Sequence, residues 1–332
     1  MKLKKKIFIS PTPNANSGMY ISNLANSLSK YFNIANKGKQ RKPAYRELIR
    51  YFFVTDIFVL NWIENEPVMK NGMIRLIIIV LFLSLAKVFG KKIIWTFHNL
   101  EPHNVGHNYG SKRLTDFLKK KSDLIVHHTT KSLYLTSKSK NFYSFHPFES
   151  PSESFFYQKM KDYKYDILIW GRIEPYKGVV EFLKYVRQDK DLANLRILLA
   201  GKVEDPNYRE EVCENLSENI SFKEGYITEE ELIEEHVNSK FVFFPHQGPS
   251  ILNSGQLVVS LGYGATIIGP KKGAFEELSE QGLILGYDDY SDIIGLMGTS
   301  NSMINKSRQF SFILENSWDN YAGKLSERIS CL

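Results

Sequence analysis

Residues 166–177 read DILIWGRIEPYK, and this stretch decides the fold. An apolar run with two β-branched Ile, a Leu and a Trp has the composition of a parallel strand covered on both faces. It stops at Gly171. Arg172, Pro175, Lys177 and Gly178 follow, and then VVEFLKYV, whose apolar residues recur at helical spacing. A buried strand that delivers a guanidinium and an ammonium to the start of a helix is suited to a diphosphate. A nucleotide-linked substrate is the expectation.

Strands and helices alternate on both sides of this stretch. Downstream, strands are expected at 195–200, 220–222, 241–245, 265–268 and 283–285, with helices at 207–216, 229–237, 253–263, 274–280 and 291–297. Upstream, strands are expected at 6–11, 54–62, 91–97, 123–127 and 143–145, with helices at 19–31, 74–89 and 112–121. Such alternation indicates parallel sheets. The Pro/Ser-bearing segment 149–165 reads as a linker, and 332 residues exceed one ordinary core. Two tandem Rossmann-like halves put a cleft between the carboxyl ends of two sheets. The acidic run EEELIEEH reads as the solvated face of a helix.

Composition sets the class and charge divides the chain. Apolar and charged fractions of 43% and 24% are those of a folded soluble protein. Residues 1–150 carry 24 basic and 8 acidic side chains, while the remainder carries 19 and 28, so a half at +16 precedes a half at −9. The basic half is drawn to an anionic surface, nucleic acid or the cytoplasmic leaflet of a membrane. Cys213 and Cys331 lie far apart in a chain without a secretory signal pattern, so a reducing compartment and a buried helical Cys213 are expected. The eleven residues between Arg75 and Lys87 are apolar apart from Ser84, too few to span a bilayer. Burial inside the domain is the simpler reading for this helix, and contact with lipid the alternative.

Several segments resemble one family. WGRIEPYKGVVEFL looks like the strand-to-helix segment of bacterial GT-B glycosyltransferases of capsular, exopolysaccharide and O-antigen assembly, whose Arg and Lys bind the diphosphate of a nucleotide-sugar. NSGQLVVSLGYGATIIGPKKGAFEEL resembles their later donor-binding segment, as in the family 4-like C-terminal domain. WTFHNLEPHN resembles a loop of their N-terminal domain, and SWDNYAGKLSERI is similar to the last helix, which returns to that domain. The resemblance implies an α/β GT-B fold of two Rossmann-like domains whose parallel sheets face across a cleft. Residues 1–150 would form the acceptor- and membrane-facing domain, 151–316 the nucleotide-sugar domain, and 317–332 the returning helix. One departure stands out: where many retaining members carry paired glutamates, this chain has Ile251 and Val259.

The chemistry then has candidate residues. Arg172 and Lys177 are expected on the diphosphate, whose leaving group develops negative charge. Ser254 and Gly255 at a helix start would add backbone amides there; the plainer reading of Ser254 is an N-cap. In the family, Glu276 would meet a donor hydroxyl; Glu277 beside it reads as exposed, and His246, before Gln247 and Gly248 at the carboxyl end of a strand, is expected to approach the donor. Catalytic candidates are His98, Glu101 and His103, with His107 nearby, because imidazole and carboxylate titrate in the useful range and strand ends carry reactive groups; His98 is expected to face the donor, with His103 or Glu101 as base. His-x4-His-x3-His without Cys matches no common zinc spacing, so no metal is expected, and the family needs no cofactor. Asn16, Ser17 and Gly18 form a loop after the first strand, placed at the cleft by the resemblance, and also readable as a turn with an N-cap.

The implied function is sugar transfer from a UDP- or GDP-linked donor to a glycan acceptor, often polyprenyl-diphosphate-linked, by a cytoplasmic enzyme peripheral on the inner face of the cell membrane. An anionic membrane surface is then a partner and nucleic acid is not. A sugar-nucleotide epimerase of GT-B-like shape is the alternative. A basic nucleic-acid-binding Rossmann protein is a further one, disfavoured because Lys outnumbers Arg and no RNA-binding module pattern occurs.

Overall fold

The computed structural model describes residues 4–98, 108–151, 153–157, 162–246 and 252–332. The chain divides into two compact units, unit 1 being Met1–Pro147 with Asn316–Leu332 and unit 2 being Phe148–Glu315.

Unit 1 holds the strands β1 (Lys6–Ser10), β2 (Asn33–Ile34), β3 (Ile57–Asn61), β4 (Lys92–Phe97), β5 (Leu124–His127) and β6 (Asn141–Tyr143), all parallel in the order β2-β1-β3-β4-β5-β6. Its crossover helices are α1 (Met19–Leu28), α2 (Ala44–Tyr51), α3 (Gly72–Val88) and α4 (Tyr109–Lys121). Ile7 and Ile9 of β1, Ile57 and Val59 of β3 and Ile94 of β4 form one core face with Ile21, Leu24 and Leu28 of α1. The terminal helix Trp318–Ser330 completes that core with Tyr321, Leu325 and Ile329. Continuous burial of the strands on both faces and 3.6-period burial in the helices account for the match. The short β2 and the amphipathic α2 have no counterpart in the sequence expectations. The last strand runs 141–143 rather than 143–145, because Tyr143 pairs with His127, where β5 ends.

Unit 2 begins with α5 (Glu153–Phe156) and continues as β7 (Tyr165–Trp170), α6 (Val179–Val186), β8 (Ile197–Gly201), α7 (Pro206–Glu214), β9 (Ile220–Glu224), α8 (Glu229–Val237) and β10 (Ser239–Phe243). Then come α9 (Gly255–Gly262), β11 (Ile267–Pro270), α10 (Gly273–Glu280), β12 (Leu285–Tyr287), α11 (Ile293–Met303) and α12 (Lys306–Glu315). The six strands are parallel in the order β12-β11-β10-β7-β8-β9. Val179, Phe182, Leu183 and Val186 of α6 pack on Ile167, Ile169, Ile197, Leu199, Phe241 and Phe243.

Each sheet reverses its winding once, between β1 and β3 in unit 1 and between β7 and β10 in unit 2. Ligands of doubly wound sheets bind outside the carboxyl ends at that reversal. In unit 2 it lies at the end of the 166–177 stretch.

Two expectations are corrected. Cys213 is exposed, because Tyr208 and Val212 face the core from α7 and the next position turns about 100° outward. Helix α3 is not buried all round: Leu76, Ile79, Leu83 and Ala86 are buried, whereas Ile74, Ile77, Leu81 and Val88 are 59%, 63%, 52% and 80% exposed. Among the described residues no helix is long and apolar enough to cross a membrane.

Candidate functional site

In unit 2 the chain leaves β7 through Gly171, at φ +94°, a conformation that suits glycine. The position is also crowded. A Cβ there would lie 1.7 Å from Nε2 of Gln256, and one on Gly201 would lie 1.8 Å from the Gly171 carbonyl oxygen. Close backbone approach is what lets the next turn fold back: Pro175–Lys177 forms one 3-10 turn and Gly178, at φ +69°, opens α6.

That turn carries Lys177 inward. The side chain is only 8% exposed, and its ammonium donates to the Arg172 carbonyl oxygen at 2.5 Å and to Gln256 Oε1 at 2.8 Å. Gln256 Nε2 in turn donates to the Trp170 carbonyl oxygen. Burial pulls the Lys177 pKa from 10.5 down to about 8, opposed by the nearby Glu174 carboxylate and assisted by Arg172. Gln256 is the second residue of α9, so this hydrogen bond joins Lys177 to the first turn of that helix. Ser254 is its N-cap, its hydroxyl accepting from the Leu257 amide at 3.3 Å, and a Cβ on Gly255 would meet nothing within 4 Å. Lys177, Ser254 and Gly255 therefore come together as the sequence implies, through a glutamine that carried no sequence signal.

Arg172 behaves differently. Its side chain is 66% exposed and its guanidinium lies 3.4 Å from Oε1 of the 15%-exposed Glu174, so the cation faces solvent and the long contact holds it loosely. Tyr290 ties the two sides of the reversal, its hydroxyl 2.9 Å from the Pro245 carbonyl oxygen and 3.4 Å from that of Gly178. His246 follows Pro245 and is buried, its ring 6.3 Å from Tyr176 and 5.9 Å from Phe275 of α10. It also lines a cavity of about 240 Å³ with Lys271, Lys272 and Asp288. On α10, Glu276 is half-buried and Glu277 is 5% exposed, so the expectation of an exposed Glu277 is corrected: that side chain turns inward beside buried Phe275 and Leu278.

Behind β7, the Trp170 indole N–H donates to Ser260 Oγ at 2.8 Å, and Ser260 lies 2.9 Å from His236 Nε2. His236 Nδ1 contacts the Leu232 carbonyl oxygen at 2.7 Å. A carbonyl only accepts, so Nδ1 carries the proton and Nε2 accepts from Ser260. The chain of bonds fixes β7 against α8 and α9, and burial lowers the His236 pKa to about 4.

In unit 1, His98 directly follows β4 and is 4% exposed, stacked on Trp62 with ring centroids 4.0 Å apart. Asn61 Nδ2 donates to the Ser10 carbonyl oxygen at 3.0 Å, which fixes the amide and leaves Oδ1 to accept from His98 Nε2 at 3.3 Å. Burial, with His128 and His146 alongside, holds His98 well below its ordinary pKa. The ring is therefore neutral, with its lone pair on Nδ1. Glu101, His103 and His107 lie outside the described residues, as do Gln247, Gly248 and Ile251.

His98 has other partners, which come from distant segments. Tyr20 of α1 stands edge-on to His98, His128, His146, Trp62 and Trp318 at 5.0–5.6 Å. Its hydroxyl lies 2.7 Å from His128 Nε2, while His128 Nδ1 donates to the Ser144 carbonyl oxygen at 2.8 Å, so Tyr20 is the donor. Burial depresses His128 to about 3 and His146 to about 4. One more group stands near neutrality. Glu64, 5% exposed and bonded by the Trp95 indole at 3.2 Å, is pushed up to about 7 by burial.

The loop after β1 matches its plainer reading in part. Ser17 is buried and its hydroxyl donates to the Asn14 carbonyl oxygen at 2.7 Å, so it does not reach outward as expected. Asn16 is exposed, its amide bonded to Asn14 Oδ1 at 2.9 Å. Gly18 is the N-cap of α1 and provides no side-chain bond.

No family model matches the sequence, and no curated protein matches it. Solved structures do. HepE from Anabaena, in complex with UDP-glucose, is 12% identical, with a TM-score of 0.69 over 99% of this chain and 100% of that one. A glycosyltransferase from Rickettsia africae is 13% identical, with a TM-score of 0.65 over 98% and 97%. AviGT4, a glycosyltransferase involved in avilamycin A biosynthesis, is 14% identical, with a TM-score of 0.59 over 98% and 96%. The fold is thus the α/β GT-B fold, with two six-stranded parallel sheets.

Proposed function

We propose that the protein is a glycosyltransferase that moves a hexosyl group from a UDP- or GDP-linked donor to a glycan acceptor. The observation that carries this is Lys177: an ammonium held at the winding reversal of unit 2, hydrogen-bonded to the first turn of α9, with Arg172 exposed five residues before it. HepE, of the same fold, binds UDP-glucose. Cleavage of the sugar–phosphate bond builds negative charge on the departing diphosphate. Lys177, Arg172 and the amides of Gly255 and Gln256 oppose that charge, which lowers the barrier. No resident metal or cofactor is required in this scheme.

Unit 1 receives the acceptor. If transfer inverts the anomeric centre, a base must take the acceptor proton, and His98 Nδ1 serves, already unprotonated at neutral pH. A polyprenyl-diphosphate-linked acceptor, surface polysaccharide synthesis and a peripheral place on the inner membrane face agree with the +16 charge of residues 1–150.

The test is incubation with UDP- and GDP-sugars, with and without a polyprenyl-diphosphate-linked glycan, in the presence of EDTA. Acceptor-dependent release of nucleoside diphosphate is expected. Sugar conversion without acceptor identifies an epimerase instead. In His98→Ala, transfer should fall about 10²–10⁴-fold while donor affinity holds; unchanged transfer removes His98 from the scheme.

A further inference from the structure

Unit 1 exposes an apolar face. Along α3, Ile74, Ile77, Leu81 and Val88 recur at helical spacing at 52–80% exposure, although the opposite face already fills the core. Phe89 continues the stripe at 63%, and Phe53, after α2, adds 85%. Both Phe89 and Phe53 pack against Phe52, at 5.8 and 5.3 Å, so the stripe and the end of α2 form one surface. Isolated exposed apolar side chains are ordinary; a contiguous patch along a whole helix is not.

Cations border it. Arg46, Ile49 and Arg50 lie on the exposed side of α2, opposite buried Ala44, Glu47, Leu48 and Tyr51, and exposed Phe53 follows in the next turn. The Arg46 guanidinium sits over the Tyr45 ring at 5.6 Å and the Lys91 ammonium over the Phe52 ring at 5.3 Å, while Arg75 is paired with Glu66 at 2.8 Å. Residues 39–92 hold ten basic and four acidic side chains, and two of the acids, Glu47 and Glu64, are buried. A protein partner's core would reward the apolar stripe alone. A bilayer with anionic headgroups matches both parts, acyl chains meeting the stripe and phosphates meeting the rim.

We infer that α3, with the exposed side of α2 and Phe53, is an in-plane docking surface for an anionic lipid leaflet. At 17 residues α3 lies along the interface instead of crossing it. This rests on the membrane-side part of the proposed function and assigns it to a face, independently of the transfer chemistry.

The experiment is flotation of the full chain with phosphatidylcholine vesicles containing 0 or roughly 30% phosphatidylglycerol, the anionic fraction being chosen to set a surface potential. Wild type should float with the anionic vesicles and be largely released by high salt. Ile77→Glu/Leu81→Glu should lose flotation at least about ten-fold with unchanged circular dichroism, since both side chains face solvent. Arg46→Gln/Arg50→Gln should weaken it by roughly five-fold per cation and flatten the salt dependence. Wild type that never floats overturns membrane docking altogether, while sugar transfer to a soluble acceptor can still be measured. Wild-type flotation by Ile77→Glu/Leu81→Glu overturns the assigned face alone. A wild-type dimer that this variant converts to monomer, with no flotation of either, identifies a second copy as the occupant and overturns the lipid assignment.

Discussion

Replacing Lys177 by Met should stabilise the protein and abolish donor binding together. The ordinary pKa of 10.5 falls to about 8 in the fold, so keeping the ammonium charged costs roughly 3 kcal/mol. Methionine removes that cost with similar volume, but leaves the Arg172 carbonyl oxygen and Gln256 Oε1 without this donor, a loss of ~1–2 kcal/mol. The net gain at pH 7 is roughly 1–2 kcal/mol, or about 2–8 °C in Tm for a unit of this size. The sign with pH follows from a lysine whose folded pKa is depressed: its penalty is complete below about pH 8 and fades as pH rises toward 10.5. Urea unfolding of wild type and Lys177→Met from pH 6.5 to 9.5 should therefore show the variant's advantage shrinking at the upper end. UDP should raise the Tm of wild type only, and its binding at pH 8 should take up protons, because the diphosphate restores the ammonium. A variant less stable than wild type at pH 7, or an advantage flat across that range, would refute the reasoning.

Arg172→Ala should leave the melting temperature nearly unchanged, because the side chain is 66% exposed in a loose ion pair, while kcat/KM falls by about 2–4 kcal/mol, read by steady-state kinetics. Gly171→Ala meets Gln256 Nε2 at 1.7 Å and strains a φ of +94°; urea unfolding should show a loss of about 2 kcal/mol or more, with UDP affinity lost as Gln256 is displaced from Lys177. Glu64→Gln tests the buried carboxyl. Its pKa is raised from 4.5 to about 7, so its destabilising charge is fully present only above pH 7 and is relieved as pH falls to 4.5; the variant should be up to ~3 kcal/mol more stable than wild type at pH 8 and no more stable at pH 4.5.

Much of the fold was legible because its strands are short apolar runs interrupted by helices of clear period. The stretch 166–177 also announced Lys177, since a strand, a Gly and a cation before an amphipathic helix are neighbours in sequence as in space. What escaped was assembled from afar. Gln256 lies 79 residues from Lys177 and looks like any polar helix residue. The histidines seen in the sequence were those spaced close to His98, whereas His128, packed on it, and His146, packed on His128, follow β5 and β6 and meet around Tyr20. Composition overstated the burial of α3 for a related reason: an apolar residue is equally apolar on a core face and on a solvent face. Cys213 fell to the opposite error, a residue type usually buried but placed on the outer side of α7.

The terminal helix has a consequence for biosynthesis. Unit 2 is one continuous segment, so it can fold as soon as it has emerged from the ribosome. Unit 1 begins first and closes last. Until Trp318, Tyr321, Leu325 and Ile329 have been synthesised, Ile21, Leu24 and Leu28 lack part of their cover, and a fragment ending at Pro147 keeps that gap permanently. A nascent chain paused within unit 2 should thus present an open apolar groove to chaperones, and a frameshift after Glu315 should cost the cell the first half of the protein rather than a dispensable tail.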